Sequence, residues 1–282
     1  MSLSRLNDPI VSTRRIVTRT HGQRQGPITR LMSPSDLGQT LRPFVFLDLI
    51  DLTGTTPHGV HLHPHSGIAT ITCILEGNVG FEDTVGRSGT IPEGGVEWLQ
   101  AGGGAWHGGD FGNADHLRGF QLWIALPPDA ELGDPESIYL EPNDIERDGP
   151  AKVVLGHYGQ AKSALPAPAS INYLSVSLKA GERWRYEPPA GHTVGWAAVS
   201  VGRVLVPGEL RAGDLGVFEE SEAAIEFQAE TNTEFVIGSA VKHPYDLVVG
   251  HYSVHTSAAA LQDGEARIRE IGARLREQGR LR

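Results

Sequence analysis

A single cysteine, Cys73, stands among 282 residues. A lone thiol excludes any intrachain disulfide and any cysteine-based zinc framework, so metal chemistry here must draw on His, Asp or Glu. It also agrees with a reducing compartment. No apolar run approaches the roughly 20 residues that span a bilayer. The opening MSLSRLNDPIVSTRR has no apolar core of signal-peptide length. A soluble, cytoplasmic protein with no membrane partner is the expectation. Basic excess is missing too, since 24 Lys and Arg face 34 Asp and Glu for a net charge of −10. Arginine gathers at the two ends, seven Arg against three Asp in residues 1–50 and six Arg against four acids in 258–282. The stretch between them carries 11 basic and 27 acidic residues. An acidic body repels phosphate and argues against direct nucleic-acid binding. The basic ends read as solvated surface.

What is abundant points to β-structure. A hydrophobic fraction of 39% supplies a core and rules out general disorder. Glycine (35) and proline (18) favour short elements joined by tight turns. Residues 67–75 mix β-branched and apolar types and stop at Glu76-Gly77. Strand-like runs follow at 79–82, 89–91, 96–99 and 120–126, then in the second half at 171–178, 194–201, 204–206, 215–218, 224–227 and 234–237. Strands this short, punctuated by glycine, predict an all-β protein of barrels or sandwiches. The halves echo each other. Gly77 corresponds to Gly202, and the stretch 89–95 corresponds to 208–214. The expected layout is an N-terminal extension with the first strands over 1–45, a barrel over 46–140 and a Pro- and acid-rich linker over 141–170. A second barrel covers 171–256 and a helical tail 257–282. In the tail, Leu261, Ile268, Ile271 and Leu275 share one helix face. Ser257 or Thr256 caps it, Gly279 ends it, and Gly264 suggests a break into two pieces.

Five of the twelve histidines, His58, His61, His63, His65 and His107, fall between residues 58 and 107. The run Val60-His61-Leu62-His63-Pro64-His65 alternates, which sends His61, His63 and His65 to one face of a strand. Neighbours two apart on that face lie roughly 6.5–7 Å apart, close enough for two imidazoles to share an ion. His61 and His65, about 13 Å apart, cannot both join. The spacing leaves open which pair binds. His107, after the glycine turn Ala101-Gly102-Gly103-Gly104, is placed to add a third ligand. Trp106, Gln121 and Trp123 are pocket-wall candidates, with Gln121 free to face inward or outward. Cys73, inside a strand, is expected to be buried and inert. In the second half, Pro188-Pro189-Ala190 stands where the first has His63-Pro64-His65, and residues 203–242 hold no histidine. That barrel is read as structural and metal-free, with His192 a loop or core residue.

The ordered set His63-Pro64-His65-Ser66-Gly67, Leu75-Glu76-Gly77, Trp98, Ala101-Gly102-Gly103-Gly104, His107, Gln121-Leu122-Trp123 and Leu126-Pro127 resembles the pirin family of two-barrel cupins. So does the closing Gly250-His251-Tyr252-Ser253-Val254-His255-Thr256. The resemblance runs from about residue 40 to 278. It implies a bicupin of two tandem antiparallel jelly-roll barrels with a C-terminal helix, and one mononuclear metal, Fe(II) ahead of Ni, Mn or Zn, in the first barrel. It makes His63, His65 and His107 the ligands. The family's fourth ligand, a glutamate two residues past the last histidine, falls on Gly109, and Ala69 sits where cupin motifs often carry an acid. Asp110 is the remaining acid that could serve as fourth ligand or base. The implied activity is of the quercetin 2,3-dioxygenase type on a flavonol or other small phenolic substrate. The alternative is a non-enzymatic, metal-dependent regulator acting through a protein partner. A monomer is expected.

Overall fold

Near-continuous apolar strands bury both faces of each large sheet, while the four-stranded sheets keep exposed residues on one side. The computed structural model describes residues 13–54, 59–111, 116–167 and 170–281. In the first half a seven-stranded sheet runs, in spatial order, Glu136–Leu140, Val96–Gln100, Ile68–Glu76, His116–Ala125, Phe44–Thr53, Ile28–Met32 and Gln23–Gln25. A four-stranded sheet, Gly59–His65, Ala105–Asp110, Val79–Asp83 and Ser88–Ile91, faces it. The second half repeats this with another seven-stranded sheet and the four strands Arg183–Tyr186, Ile225–Ala229, Arg203–Val206 and Gly208–Arg211. Pairing within these four sheets is antiparallel. This is the expected two-barrel architecture.

The two large sheets pack face to face. Leu47, Leu49, Ile71, Trp98, Phe120 and Leu122 from the first meet Tyr173, Trp196, Leu215, Val217 and Val236 from the second in one apolar core. Phe44 meets Trp196 edge-on at 5.4 Å between ring centroids. Cys73 belongs to this layer, where burial pushes its thiol up to about 12. Ala69 does too, so an acid at that position would face the other barrel rather than a metal site.

Two boundaries differ from the sequence reading. The strand Ile16–Thr20 pairs with Leu215–Phe218 of the second barrel, while Gln23–Gln25 and Ile28–Met32 serve the first. The stretch read as a linker supplies Arg147–Asp148 and Ala151–Leu155 to the second large sheet. The reason is apolar content: Ala151 and Val153 enter the second barrel's core, and Val154 and Leu155 the layer between barrels.

That second interior is filled. Trp184, Phe227 and Phe235 stack at 5.5 and 4.8 Å amid aliphatic side chains. Its buried His192 is neutral: burial first, then the charges of His157 and Arg14, lower its pKa to about 4. A folded-state value below the unfolded one contributes stability above about pH 6.5 that is lost as pH falls towards 4. In metal-free protein, His192→Gln is therefore expected to flatten the pH dependence of unfolding between 6.5 and 4 by on the order of 3 kcal/mol or less. Urea titrations at successive pH values measure this, and parallel curves for the two proteins would refute it.

The tail forms one unbroken helix, Ala258–Glu277, capped by Ser257, whose side chain accepts from the Ala260 N–H at 3.1 Å. The break expected at Gly264 is absent. Ala260, Gly264, Ile268 and Gly272, spaced by four, form the buried stripe. Gly264 is a contact point here, because small residues let the helix approach the first barrel closely. Among the described residues no helix is long and apolar enough to cross a membrane.

Candidate metal centre

In contrast to the second barrel, the first holds a polar band between two apolar clusters. One cluster comprises Ile50, Leu52, Ile74, Val79, Ile91, Phe111 and Leu117, the other Val45, Phe46, Ile68, Trp123, Ala125 and Val254. His63 and His65 enter this band from one strand and His107 from its neighbour, directly across from His63 in register. One ligand nitrogen from each lies within 4.8 Å of the others. Their ring centroids are 4.6, 4.9 and 5.1 Å apart.

His61 is excluded by a β-bulge. Gly109 pairs with Val60 while His107 pairs with His63, so the histidine strand has one extra residue there. The bulge breaks the alternation: Val60 joins His63 on the cavity side and His61 stays exposed on an outer groove. Gly108 permits it, since a Cβ there would lie 2.8 Å from the Val60 carbonyl oxygen. The expectation that all three histidines share a face is corrected accordingly. His58 lies outside the described residues.

Each of the three clustered histidines has its Nδ1 engaged by an oxygen that can only accept. His63 Nδ1 donates to the His61 carbonyl at 2.9 Å, His65 Nδ1 to the Tyr252 carbonyl at 3.1 Å, and His107 Nδ1 to Glu97 Oε1 at 3.0 Å. These partners fix the tautomer, leaving every Nε2 with a lone pair. His65 Nε2 and His107 Nε2 are buried with no hydrogen-bond partner. Burial and the neighbouring His107 draw His63 down to about 4, and burial with both neighbours holds His65 well below its ordinary value. Oriented imidazoles with bare inward nitrogens fit a transition-metal ion, and separations of this size close onto one with small side-chain rotations.

Glu97 is buried and takes three donors. Besides His107, it accepts from Thr72 Oγ1 at 2.7 Å and from the Tyr139 hydroxyl at 3.3 Å. Burial pushes its carboxyl up, but His107, the hydrogen bonds from His107 and Thr72, and His63 outweigh this and hold it below its usual range. Trp123 stacks on Phe46 at 3.9 Å and meets His65 edge-on at 4.7 Å. Gln121 faces inward and lines a cavity of about 60 Å³ with His63, His107, Thr72, Glu97 and Asp48. Trp106 is on the opposite side of its strand, where its indole N–H donates to the Ile268 carbonyl at 3.0 Å beneath the helix. Asp110 is exposed at the strand end and outside the histidine cluster. At Gly109 a side chain would be tight, its Cβ 3.0 Å from the Gly80 oxygen and 3.1 Å from Val79 Cγ1, so these neighbours would have to give by a few tenths of an ångström.

The sequence reading missed the support behind His65. Ser66 Oγ lies 3.0 Å from His255 Nε2 and 2.9 Å from Ser253 Oγ. His255 Nδ1 donates to Glu131 Oε2 at 3.0 Å, and Glu131 also accepts from the Thr256 N–H at 2.7 Å. The order serine, histidine, carboxylate resembles an acyl-transfer triad. Gly264 closes it off: even a Cβ there would be 2.5 Å from His255 Nε2 and 2.6 Å from Ser66 Oγ, so no substrate atom reaches the hydroxyl. The cluster fastens residues 252–256 behind the strand that carries His63 and His65. Its only sequence signal was the 250–256 segment, whose pairing with Glu131 spans more than a hundred residues.

Comparison with known proteins agrees with this arrangement. The Pirin family model matches residues 25–124. A pirin-like protein of Caulobacter vibrioides is 30% identical over 221 residues, covering 74% of this chain and 79% of that protein. Among solved structures, a quercetin 2,3-dioxygenase from Acinetobacter baumannii superposes with a TM-score of 0.82 at 24% identity, covering 90% of this chain and 96% of that one. The bacterial pirin YhhW from Escherichia coli, in complex with nickel(II), superposes with a TM-score of 0.64 at 19% identity, covering 82% and 98%. With the shared fold, the order of its motifs and this level of identity, the chain belongs to the pirin family.

Proposed function

We propose that the chain is a mononuclear metal-dependent dioxygenase of the quercetin 2,3-dioxygenase type, acting on a small enolic or phenolic substrate. The observation that carries the reading is the set of three imidazoles with every Nδ1 engaged, two of whose Nε2 atoms are buried and bare. The Acinetobacter structure's name and the nickel(II) held by YhhW support it. His63, His65 and His107 would hold the ion, Fe(II) by this reading, although imidazole ligands also suit Ni, Mn and Zn. When bound, the ion supplies a Lewis-acidic, redox-active point for an enolate and O₂.

The chain's own residues set orientation and polarity. Glu97 and the carbonyls of His61 and Tyr252 hold the rings in place. Val79, Phe81, Ile91 and Phe111 give the cavity an apolar side, and Gln121, Thr72 and Asp48 a polar one. Three imidazoles bring no negative charge to the ion, and the carboxylates that line the cavity, Glu97 behind His107 and Asp48, are the anions nearest to offset it. A cavity of about 60 Å³ is well under the roughly 300–1,000 Å³ of pockets that enclose drug-sized ligands. A small enol, or the reacting end of a larger one, is the expected occupant.

The test is metal analysis of untagged protein, followed by O₂ uptake with flavonols and with smaller enols and phenols. One iron per chain, with uptake that disappears in His63→Ala, is the expected result. Stoichiometric metal with no uptake across the panel would overturn the enzyme reading and favour a metal-dependent regulator acting on a protein partner.

A further inference from the structure

We propose that the second barrel carries a binding site at its mouth, one that takes a small organic carboxylate with an apolar body. It stands or falls independently of the dioxygenase-type reading, because this cavity and the one at the histidine cluster share no lining residue.

The two barrels order their strands alike, so Arg183–Tyr186 and Val194–Val201 hold the places of Gly59–His65 and Ile68–Glu76. The link between these two strands is 66–67 in the first barrel and 187–193 in the second. From that longer link, Pro189, Ala190 and His192 line a cavity of about 750 Å³. Pockets that hold small molecules run to roughly 300–1,000 Å³. None of its lining belongs to the aromatic and aliphatic cluster that fills the barrel, so the cavity lies beside the packed interior.

A chain of hydrogen bonds fixes what His192 presents there. Asn172 is locked by the His157 backbone, its Oδ1 accepting from the N–H at 3.1 Å and its Nδ2 donating to the carbonyl at 2.7 Å. Nδ2 gives its second proton to the Tyr186 hydroxyl at 3.1 Å. Tyr186 in turn donates to Ser239 Oγ at 2.6 Å, and Ser239 donates to His192 Nδ1 at 2.8 Å. Each hydroxyl has one proton to give, so the direction set at Asn172 runs through to the ring. A neutral imidazole that accepts at Nδ1 carries its proton on Nε2. Ser239 does not line the cavity, so the ring edge turned to it is the one with Nε2. His192 is 2% exposed, and the cavity therefore has a buried N–H donor in its wall.

Two basic side chains stand at the exposed rim. His157 and Lys162 face each other in register on the hairpin His157–Tyr158 and Ala161–Lys162, and both line the cavity. The nearby acids Glu146 and Asp148 accept from the hairpin's own backbone, at the Lys162 and Gln160 N–H groups, and lie outside the lining. Among the described residues no acid lines the cavity. Leu165, Pro166, Ile171 and Pro189 give the wall its apolar part. Positive charge and an N–H donor beside apolar side chains match a ligand with acceptor oxygens, negative charge and a hydrophobic body. A carboxylate on an aromatic or aliphatic group has all three, and a free phosphate lacks the third.

The test is an NMR titration of the full chain at pH 7 with benzoate, with benzamide and inorganic phosphate as controls. Benzoate is expected to shift the His192 Nε2 resonance and to bind at least about tenfold more tightly than either control. Long-range proton–nitrogen spectra of the free protein are expected to show His192 as the Nε2–H tautomer. Lys162→Ala, at an exposed position, is expected to keep the fold and weaken benzoate about fivefold. His63→Ala, which removes one of the first barrel's clustered histidines, is expected to leave benzoate binding at His192 unchanged. An Nδ1–H tautomer, equal binding of benzoate and benzamide, or tighter binding of phosphate would overturn the site. So would benzoate affinity that Lys162→Ala leaves intact, or shifts confined to His63, His65 and His107.

Discussion

His63→Ala is expected to weaken metal binding by more than about a hundredfold while leaving the metal-free protein's stability within about 1 kcal/mol of wild type. Of the three ligands, His63 gives the cleanest test. It is only partly buried, and its Nδ1 partner is the carbonyl two residues away, which water can satisfy once the ring is gone. His107→Ala would instead leave Glu97 buried without its strongest donor, and destabilisation of the fold would obscure loss of the ion. A graded second arm is Glu97→Gln. An amide in place of the carboxylate keeps the shape of the Thr72 and Tyr139 contacts but removes the charge facing His107, and about ten- to a hundredfold weaker metal binding follows. Metal-dependent shifts in Tm, recorded for each protein against a chelator titration, measure both effects. If His63→Ala responds to metal and chelator as wild type does, the three histidines are not a metal site.

The histidine cluster was legible in the sequence because each part carries a local signal. His63 and His65 are separated by one proline on a single strand, and His107, on the strand that pairs directly with theirs, follows a glycine turn. Alternation alone, though, would have admitted His61. What removes it is one extra residue in the ladder opposite Gly108, and a bulge has no hydrophobic period to betray it. Trp106 illustrates the same limit. It neighbours His107, so strand parity puts it on the other face, but only the helix more than 150 residues later gives its indole a partner. Glu97, Thr72, Gln121, Asp48 and Arg30 stand in register on five adjacent strands, a row invisible for a related reason: it runs across strands, and register is set by pairing that sequence spacing does not reveal.

At the level of the fold, repeated short strands and glycine turns announced two β-units. They differ in filling: in the second, Trp184, Phe227 and Phe235 occupy the space that the first leaves to imidazoles and a small cavity. The exchange of the Ile16–Thr20 strand into the second barrel was not legible, since an edge strand with mostly exposed side chains carries little pattern. The helix was legible in its face but misread at Gly264, because glycine in a helix signals either a break or a close approach, and only the partner surface distinguishes them.

That close approach gives the second large effect. Glycine to alanine inside a helix ordinarily stabilises by about 0.5–1 kcal/mol. At Gly264 the sign is expected to reverse, with Gly264→Ala costing about 2–4 kcal/mol. The new methyl would stand 2.5 Å from His255 Nε2 and 2.6 Å from Ser66 Oγ. Neither group has somewhere to go: His255 is tied to Glu131 at 3.0 Å, Ser66 to Ser253 at 2.9 Å, and both are buried. The helix must lift instead, and lifting it pulls on Trp106 through the Ile268 carbonyl and crowds Gly272 off the indole. A Tm lower by roughly 5–12 °C is the thermal counterpart. Because Ser66 follows His65 and the Tyr252 carbonyl orients that ring, the same variant should bind metal about tenfold more weakly without touching a ligand. Thermal melts and chelator titrations on one preparation separate the two effects. A variant as stable as wild type would mean that the helix does not sit on the Ser66–His255 pair, whereas lost stability with unchanged metal affinity would uncouple the helix from the metal strand.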